Sequence, residues 1–132
     1  MSKFGVFLYE GFQEMEFWYP VLRLREIGAD VAVIGVAGGG AAPSALGYPV
    51  IPNLALADAR PEDFTALIVP GGRIGALKDN SALRDFLSQA AARGARVLAI
   101  SQAAPLAPGA LVARTTDDVP QCMRKLIEEL AR

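Results

Sequence analysis

The sequence contains no histidine and only one cysteine, Cys122, among its 132 residues. Without an imidazole, the chain lacks the usual base of serine and cysteine nucleophiles and the commonest nitrogen ligand of zinc. A single cysteine excludes an internal disulfide and a thiolate cluster for zinc or iron–sulfur. We therefore expect a protein without a bound metal or another cofactor, in which Cys122 is a buried, inert thiol on the last helix.

The sequence also has no large excess of charge of one sign and no long apolar run. The chain has 13 basic and 14 acidic residues, a net charge of -1, which is atypical of proteins that bind nucleic acid or anionic membranes. No apolar run approaches the roughly 18 residues that a membrane span needs, and the first residues lack the pattern of a signal peptide. These features predict a cytoplasmic protein with no nucleic-acid or membrane partner.

The composition, with 52% hydrophobic residues, predicts a single domain over residues 1–132 with one core. Short apolar segments alternate with helical patterns along the chain. The predicted core strands are residues 4–9, 31–36, 66–69 and 97–100, with a weaker fifth strand at 110–113. Because these segments are continuous apolar runs, they predict an α/β fold whose mostly parallel sheet is covered on both faces.

The predicted first helix, residues 14–27, carries two apolar stripes instead of one. The first stripe is Met15, Trp18 and Leu22, and the second is Phe17, Val21 and Leu24. A sheet can cover only one of them, and an uncovered apolar stripe is typical of a contact surface. The pattern predicts self-association through this helix. In the alternative, Pro20 bends the helix enough for loops to cover both stripes.

Ligands of open parallel sheets bind at the carboxyl ends of the strands, which here are followed by residues 10–16, 70–75 and 101–105. In the second segment, free N–H groups around Gly71 and Gly72 can hold an anion or an oxyanion, although glycines also simply permit tight turns. Ser101 ends the fourth core strand between small residues, as in a strand–turn–helix elbow. A bare serine at the end of a strand is the alternative interpretation.

Three glutamates lie near the same predicted edge, at positions 10, 14 and 16. A glutamate buried beside Ser101 could exchange protons with it, whereas solvated carboxylates in a first helical turn are the ordinary alternative. The sequence leaves both interpretations open.

Three segments together resemble the ThiJ/PfpI superfamily, which has the class I glutamine-amidotransferase-like fold. They are YEGFQEMEFWYP at 9–20, PEDFTALIVPGG at 61–72 and RVLAIS at 96–101. The resemblance implies a three-layer α/β/α sandwich with a flavodoxin-like sheet. Family members usually continue after the elbow with a helix and a hairpin, whereas here 110–116 and 119–123 look like the last strand and helix, joined almost directly to the elbow.

The resemblance also implies roles for individual residues. Glu16 matches the carboxylate that hydrogen-bonds the family's cysteine thiolate, and the N–H groups of Gly72 and Gln102 match its oxyanion-hole donors. However, Ser101 occupies the position of the cysteine, and Gln102 that of the histidine in the protease-like members. Ala76 stands where those members supply an acidic residue to a neighbouring subunit. Members generally form dimers, so the resemblance favours a homodimer.

These observations leave three hypotheses for the function. The first is a catalytically silent, dimeric binding or scaffold module, since an unassisted hydroxyl is a far weaker nucleophile than a thiolate. The second is a hydrolase or lyase for a small carbonyl or amide substrate, which uses Ser101, Glu16 and the Gly72 turn. The third is a phosphate- or nucleotide-binding module of flavodoxin-like shape that uses the Gly71–Gly72 turn.

Overall fold

A six-stranded, entirely parallel sheet forms the centre of the computed structural model, which describes residues 3–130. The strands follow the spatial order β5-β2-β1-β6-β7-β8, and β3 and β4 form a separate two-residue antiparallel ladder. The strands are β1 (Lys3–Leu8), β2 (Asp30–Gly35), β3 (Ala42–Pro43), β4 (Pro49–Val50), β5 (Leu54–Ala55), β6 (Ala66–Val69), β7 (Arg96–Ile100) and β8 (Leu111–Ala113).

The four α-helices are α1 (Glu14–Glu26), α2 (Gly75–Lys78), α3 (Ser81–Ala92) and α4 (Val119–Leu130). The chain moves in one direction across the sheet from β1 to β2 and in the other from β6 to β7. Because parallel crossovers are right-handed, this reversal places α1 and α3 on opposite faces of the sheet. Helix α4 packs beside α1, so the result is the three-layer α/β/α sandwich that the sequence predicted.

The predicted strands are confirmed, with small shifts at their ends. The first two strands begin and end one residue earlier than predicted, β6 has the predicted bounds, and β7 begins at Arg96. The first helix ends at Glu26 instead of residue 27. The edge strand β5 was not predicted, because its two residues carry no periodicity. The single domain over 1–132 stays a prediction, and residues 1, 2, 131 and 132 lie outside the described part.

The two stripes of α1 have different environments. Phe17, Val21 and Leu24 are fully buried against the sheet, whereas Met15 and Leu22 are each 55% exposed. Trp18 is half-buried and stacks edge-on against Phe17, with 5.0 Å between the ring centroids. The second stripe is therefore the core-facing one, and the first remains on the surface.

No α-helix connects β7 to β8. The link begins with a 3-10 segment, Ser101–Leu106, which contains Pro105 and is followed directly by a turn. An α-helix would be hard to continue here, because proline lacks an N–H and clashes with the preceding helical turn. β7 and β8 are therefore joined without the α-helix that usually forms such a parallel connection.

Among residues 3–130, none of the helices has the length and apolar character that crossing a bilayer requires.

We expect the cap of α3 to be a local determinant of stability. The side chain of Asn80 accepts a hydrogen bond from the Leu83 N–H at 3.0 Å, so Asn80 caps this helix. Asn80→Ala should lower the free energy of unfolding by about 1 kcal/mol in urea titrations. Asn80→Asp retains the acceptor and should stay close to wild type; equal losses in the two variants would contradict the capping role.

Candidate functional site

The candidate site lies at the carboxyl edge of the sheet, beside the point where β1 and β6 diverge. The chain leaves β1 toward one face and β6 toward the other, and such switch points form crevices in which open α/β sheets bind ligands. The first turn of α1, the glycine turn after β6 and the elbow after β7 meet here. The structure thus brings together five of the residues that the sequence singled out: Glu16, Gly71, Gly72, Ser101 and Gln102.

Glu16 is held in place from its own helix and from the loop before it. The Gln13 side chain caps α1 by accepting the Glu16 N–H at 2.7 Å, and the Gln13 N–H donates to the Gly71 carbonyl at 2.9 Å. The buried rings of Phe12 and Phe17 pack against each other with centroids 4.8 Å apart. These contacts fix the first turn of α1 against the glycine turn.

The Glu16 carboxylate is 2% exposed and accepts three hydrogen bonds. Its Oε1 accepts the Gly71 N–H at 2.8 Å, and its Oε2 accepts the hydroxyls of Ser101 at 2.9 Å and Thr116 at 2.7 Å. Burying a carboxylate is costly unless hydrogen bonds replace its water shell. The three donors supply those bonds, and they come from the segments that follow β6, β7 and β8.

Ser101 has a left-handed backbone conformation, with φ of 49°, and it is the one non-glycine residue in the described chain with positive φ. An L-residue in this region carries a strain of about 1–2 kcal/mol. Such strain persists only where surrounding contacts determine it, and it clusters at functional sites. The positive φ is consistent with the elbow, one of the two interpretations that the sequence left open, and the Ser101 hydroxyl points at Glu16.

The N–H groups of Gly71 and Gly72 in the glycine turn both donate hydrogen bonds to side chains of the protein. Gly71 donates to Glu16, and Gly72 donates to the side-chain Oε1 of Gln102 at 3.2 Å. Gly72 has φ of 133°, a conformation that L side chains rarely adopt. The Gln102 side chain is exposed, so a ligand could displace it from Gly72.

Thr116 is the member of the site that sequence reasoning missed. It follows β8 and lies 100 residues from Glu16 in sequence, yet its hydroxyl makes the shortest of the three bonds to the carboxylate. A threonine at the end of a weakly predicted strand gives no distinctive pattern. The carboxyl-edge rule that selected Ser101 would have indicated Thr116 if the segment after the fifth strand had been included.

Other candidates lie outside the site. Glu10 is exposed, and Glu14 turns toward the loop between β3 and β4, where it accepts the Leu46 N–H at 2.9 Å. Hydrogen bonds from the Ser44 side chain and the Leu46 N–H hold the pKa of the Glu14 carboxyl below its usual value. Of the three glutamates, only Glu16 reaches Ser101. Ala76 lies in α2, and its side chain is outside the described part of the structure.

Cys122 is not part of the site. It lies on α4 and is partly buried, and this burial, together with the negative charge of Asp118, raises the pKa of the thiol. A raised pKa disfavours the reactive thiolate. Its environment is that of an unreactive thiol, although it is less buried than the sequence predicted.

Tyr9 is buried next to the glycine turn. Its hydroxyl donates to the Pro70 carbonyl at 2.7 Å, and burial, together with the negative charge of Glu16, raises the pKa of the phenol above its ordinary value. The Tyr9 hydroxyl therefore stays protonated and acts as a hydrogen-bond donor. Within residues 3–130, no group of three or more histidine, cysteine, aspartate or glutamate side chains is placed to hold a metal ion.

The family model of the DJ-1/PfpI family matches residues 2–129, and the chain therefore belongs to that family. Protein dj-1beta of Drosophila melanogaster is 33% identical over 106 residues, which cover 78% of this chain and 57% of that protein. A protein named deglycase from Thermococcus kodakarensis is 38% identical over 64 residues, covering 48% of this chain and 38% of the deglycase. Matches to the first curated relatives span only 36% to 57% of their own length.

Solved structures agree on the fold. A cysteine-to-alanine mutant of a DJ-1 superfamily protein from Salmonella typhimurium superposes with a TM-score of 0.89 at 23% identity, covering 99% of this chain and 91% of that chain. The crystal structure of Drosophila melanogaster DJ-1beta gives a TM-score of 0.88 at 24% identity, with the same coverage. At these identities the likeness establishes the fold alone.

Gly71 should tolerate no side chain, because a Cβ there would lie 2.5 Å from Glu16 Oε1 and from Gln102 Oε1, and 2.7 Å from the Ile100 carbonyl. We expect Gly71→Ala to lower the free energy of unfolding by about 2 kcal/mol or more in urea titrations. Gly75→Ala is the matched control, since a Cβ at Gly75 meets nothing within 4 Å. A Gly71→Ala protein as stable as this control would show that the site is more open than described.

Thr116→Val should destabilise the protein, because it removes one of the three donors to a buried carboxylate. The expected loss in the free energy of unfolding is about 1–3 kcal/mol. Thr116→Ser keeps the hydroxyl and should lose less than about 1 kcal/mol, the contribution of one methyl group. If the serine and valine variants were equally stable, the hydrogen bond to Glu16 would not contribute.

Proposed function

We propose that this chain is a DJ-1/PfpI protein that acts as a binding or scaffold module and does not perform the thiolate chemistry of cysteine-bearing relatives. The observation that carries the proposal is the bond from the Ser101 hydroxyl to Glu16. The elbow residue here is a protonated hydroxyl that donates, and the chain contains no histidine that could take its proton. A hydroxyl without an effective base is a weak nucleophile.

The N–H groups of the glycine turn support the same proposal. An oxyanion hole needs donors that are preorganised toward the developing charge. Here the Gly71 N–H is bound to Glu16, and the Gly72 N–H is bound to the Gln102 side chain. Only the second bond is on an exposed side chain, so a ligand with a carbonyl or carboxylate oxygen would compete with Gln102 for the Gly72 N–H.

The serine-based hydrolase or lyase is the second candidate, and the strained backbone of Ser101 favours it. Strain of this kind is typical of nucleophiles at elbows, and Glu16 lies within hydrogen-bond distance to act as a base. In this alternative, the Ser101 proton passes to Glu16 while Oγ attacks the carbonyl carbon. However, Glu16 already accepts two further hydrogen bonds, from the Gly71 N–H and the Thr116 hydroxyl, so both of its oxygens are engaged within the protein.

The phosphate- or nucleotide-binding alternative has less support. A phosphate at the glycine turn would need the N–H groups of Gly71 and Gly72, and the first of these belongs to the buried Glu16 carboxylate. The carboxylate lies beside the turn, and its negative charge would repel the multiply charged phosphate of such a ligand.

We expect wild-type protein to show no turnover above background with α-oxoaldehydes or with a glycated amino acid, the latter chosen because two of the relatives are named deglycases. Purified wild type, Ser101→Ala and Cys122→Ser are compared by product formation. Ser101→Cys restores the family's thiol beside Glu16 and should exceed wild type.

Turnover by wild type that disappears in Ser101→Ala would replace the proposal with the serine-based enzyme. Turnover that survives in Ser101→Ala but is lost in Cys122→Ser would contradict both candidates.

We also propose that the chain forms a homodimer through the outer stripe of α1. Met15 and Leu22 are each 55% exposed on this helix, and Trp18, which lies between them in the stripe, is half-buried. Exposed apolar surface of this kind is typical of protein interfaces. Members of the ThiJ/PfpI superfamily, which this sequence resembles, generally form dimers, and this supports the proposal.

Light scattering at micromolar concentration should give twice the chain mass for wild type, and Leu22→Glu should give the monomer mass. Leu22 is exposed, so the substitution should not disturb the core, whereas glutamate at the fully buried Phe17 would unfold the protein. Ile51→Glu is the matched control, since Ile51 is 75% exposed outside α1. A wild-type monomer mass that is independent of concentration would contradict the dimer.

A further inference from the structure

The shortened elbow leaves a groove on the face of the sheet that carries α3. A parallel connection from β7 to β8 normally covers that face with a helix. Here the connection is a 3-10 segment and a turn, and the space beside α3 is a cavity of about 570 Å³. This volume lies within the range of small-molecule sites, roughly 300–1,000 Å³. The groove is separate from the candidate site, since neither Glu16 nor Ser101 lines it.

The floor of the groove is aliphatic. It consists of Leu87 from α3, Val97 from β7, Leu106 from the 3-10 segment and Leu111 from β8. Val97 and Leu106 are each 7% exposed, and both line this cavity. An aliphatic floor favours contact with the apolar body of a ligand over contact with a polar one.

The rim of the groove carries few polar groups. Arg84 and Ser88 lie one helical turn apart on α3, and both are exposed. Within residues 3–130, Arg84 is in no ion pair, whereas the guanidinium of Arg96 is bound to Glu129 of α4 at 2.9 Å. Asp85 also borders a second, smaller cavity on the other side of α3. Among the described residues that line the groove, Arg84 is therefore the arginine outside any ion pair, and Asp85 is the carboxylate beside it.

We propose that this groove binds a small amphiphilic anion, with its apolar body on the aliphatic floor and its acidic head at Arg84 and Ser88. A planar guanidinium pairs well with a carboxylate or sulfonate, and a serine hydroxyl on the next turn adds a donor. The volume and the single available cation together define the ligand class: one apolar group of drug-like size with one acidic group.

The first test uses two fluorescent probes of the same shape, anilinonaphthalene sulfonate and its uncharged counterpart N-phenylnaphthylamine. Both should bind wild-type protein, and Ala91→Phe should weaken both by at least about tenfold, because Ala91 lines the groove and a phenyl ring fills it. Ala92→Phe is the matched control, since Ala92 is the next exposed residue of α3 and does not line the groove. Near-ultraviolet circular dichroism confirms that each variant is folded.

The second test isolates the acidic head. Arg84→Gln should weaken the sulfonate by about tenfold and change the uncharged probe by less than about twofold, whereas Arg93→Gln should leave both unchanged. Equal losses in Ala91→Phe and Ala92→Phe, no probe binding by wild type, or equal effects of Arg84→Gln on the two probes would overturn the proposal. If probe binding falls under conditions in which light scattering shows a rising mass of the protein, the groove is instead covered by a second copy of the chain.

Discussion

The buried carboxylate of Glu16 is the constraint on which the arrangement of the site depends. A carboxylate that is 2% exposed must replace the water it loses, and it does so with donors from three separate segments of the chain. Each donor follows a different strand, so satisfying one charge fixes the relative positions of three strand ends and the first turn of α1. The glycine at position 71 follows from the same requirement, because a Cβ there would occupy the space of the Glu16 oxygen.

The residue at this elbow is Ser101, where the resemblance to the ThiJ/PfpI superfamily implies a cysteine. The strained backbone of Ser101 lies beside the carboxylate, and the Ser101 hydroxyl donates a hydrogen bond to it. The same short elbow removes the helix that would follow it, and the uncovered sheet face becomes the groove beside α3. The absence of a helix after β7 thus weakens the case for nucleophilic chemistry at Ser101. It also creates a candidate binding surface beside α3.

The sequence allowed much of the fold to be predicted, because buried parallel strands are continuous apolar runs that need no knowledge of their neighbours. The sequence also predicted that Glu16, Gly72 and Ser101 lie close together, because each belongs to a segment that follows an apolar strand at the same edge of the sheet. Thr116 was missed because β8, the strand before it, is only three residues long. Strand β5 was missed because two residues are too few to show a periodic pattern of apolar side chains. The bond between Gln102 and Gly72 depends on a side-chain rotamer, which no sequence pattern specifies.

A double-mutant cycle between Glu16→Ala and Ser101→Ala, with unfolding free energies from urea titrations, tests the central claim most directly. The glutamate substitution also leaves Gly71 and Thr116 without their acceptor, but that loss occurs in both arms of the cycle and cancels. A buried hydrogen bond to a carboxylate predicts a coupling free energy of about 1.5–3 kcal/mol between the two residues. A coupling below about 0.5 kcal/mol, the range of independent sites, would show that Ser101 is not held by Glu16 and would contradict the account.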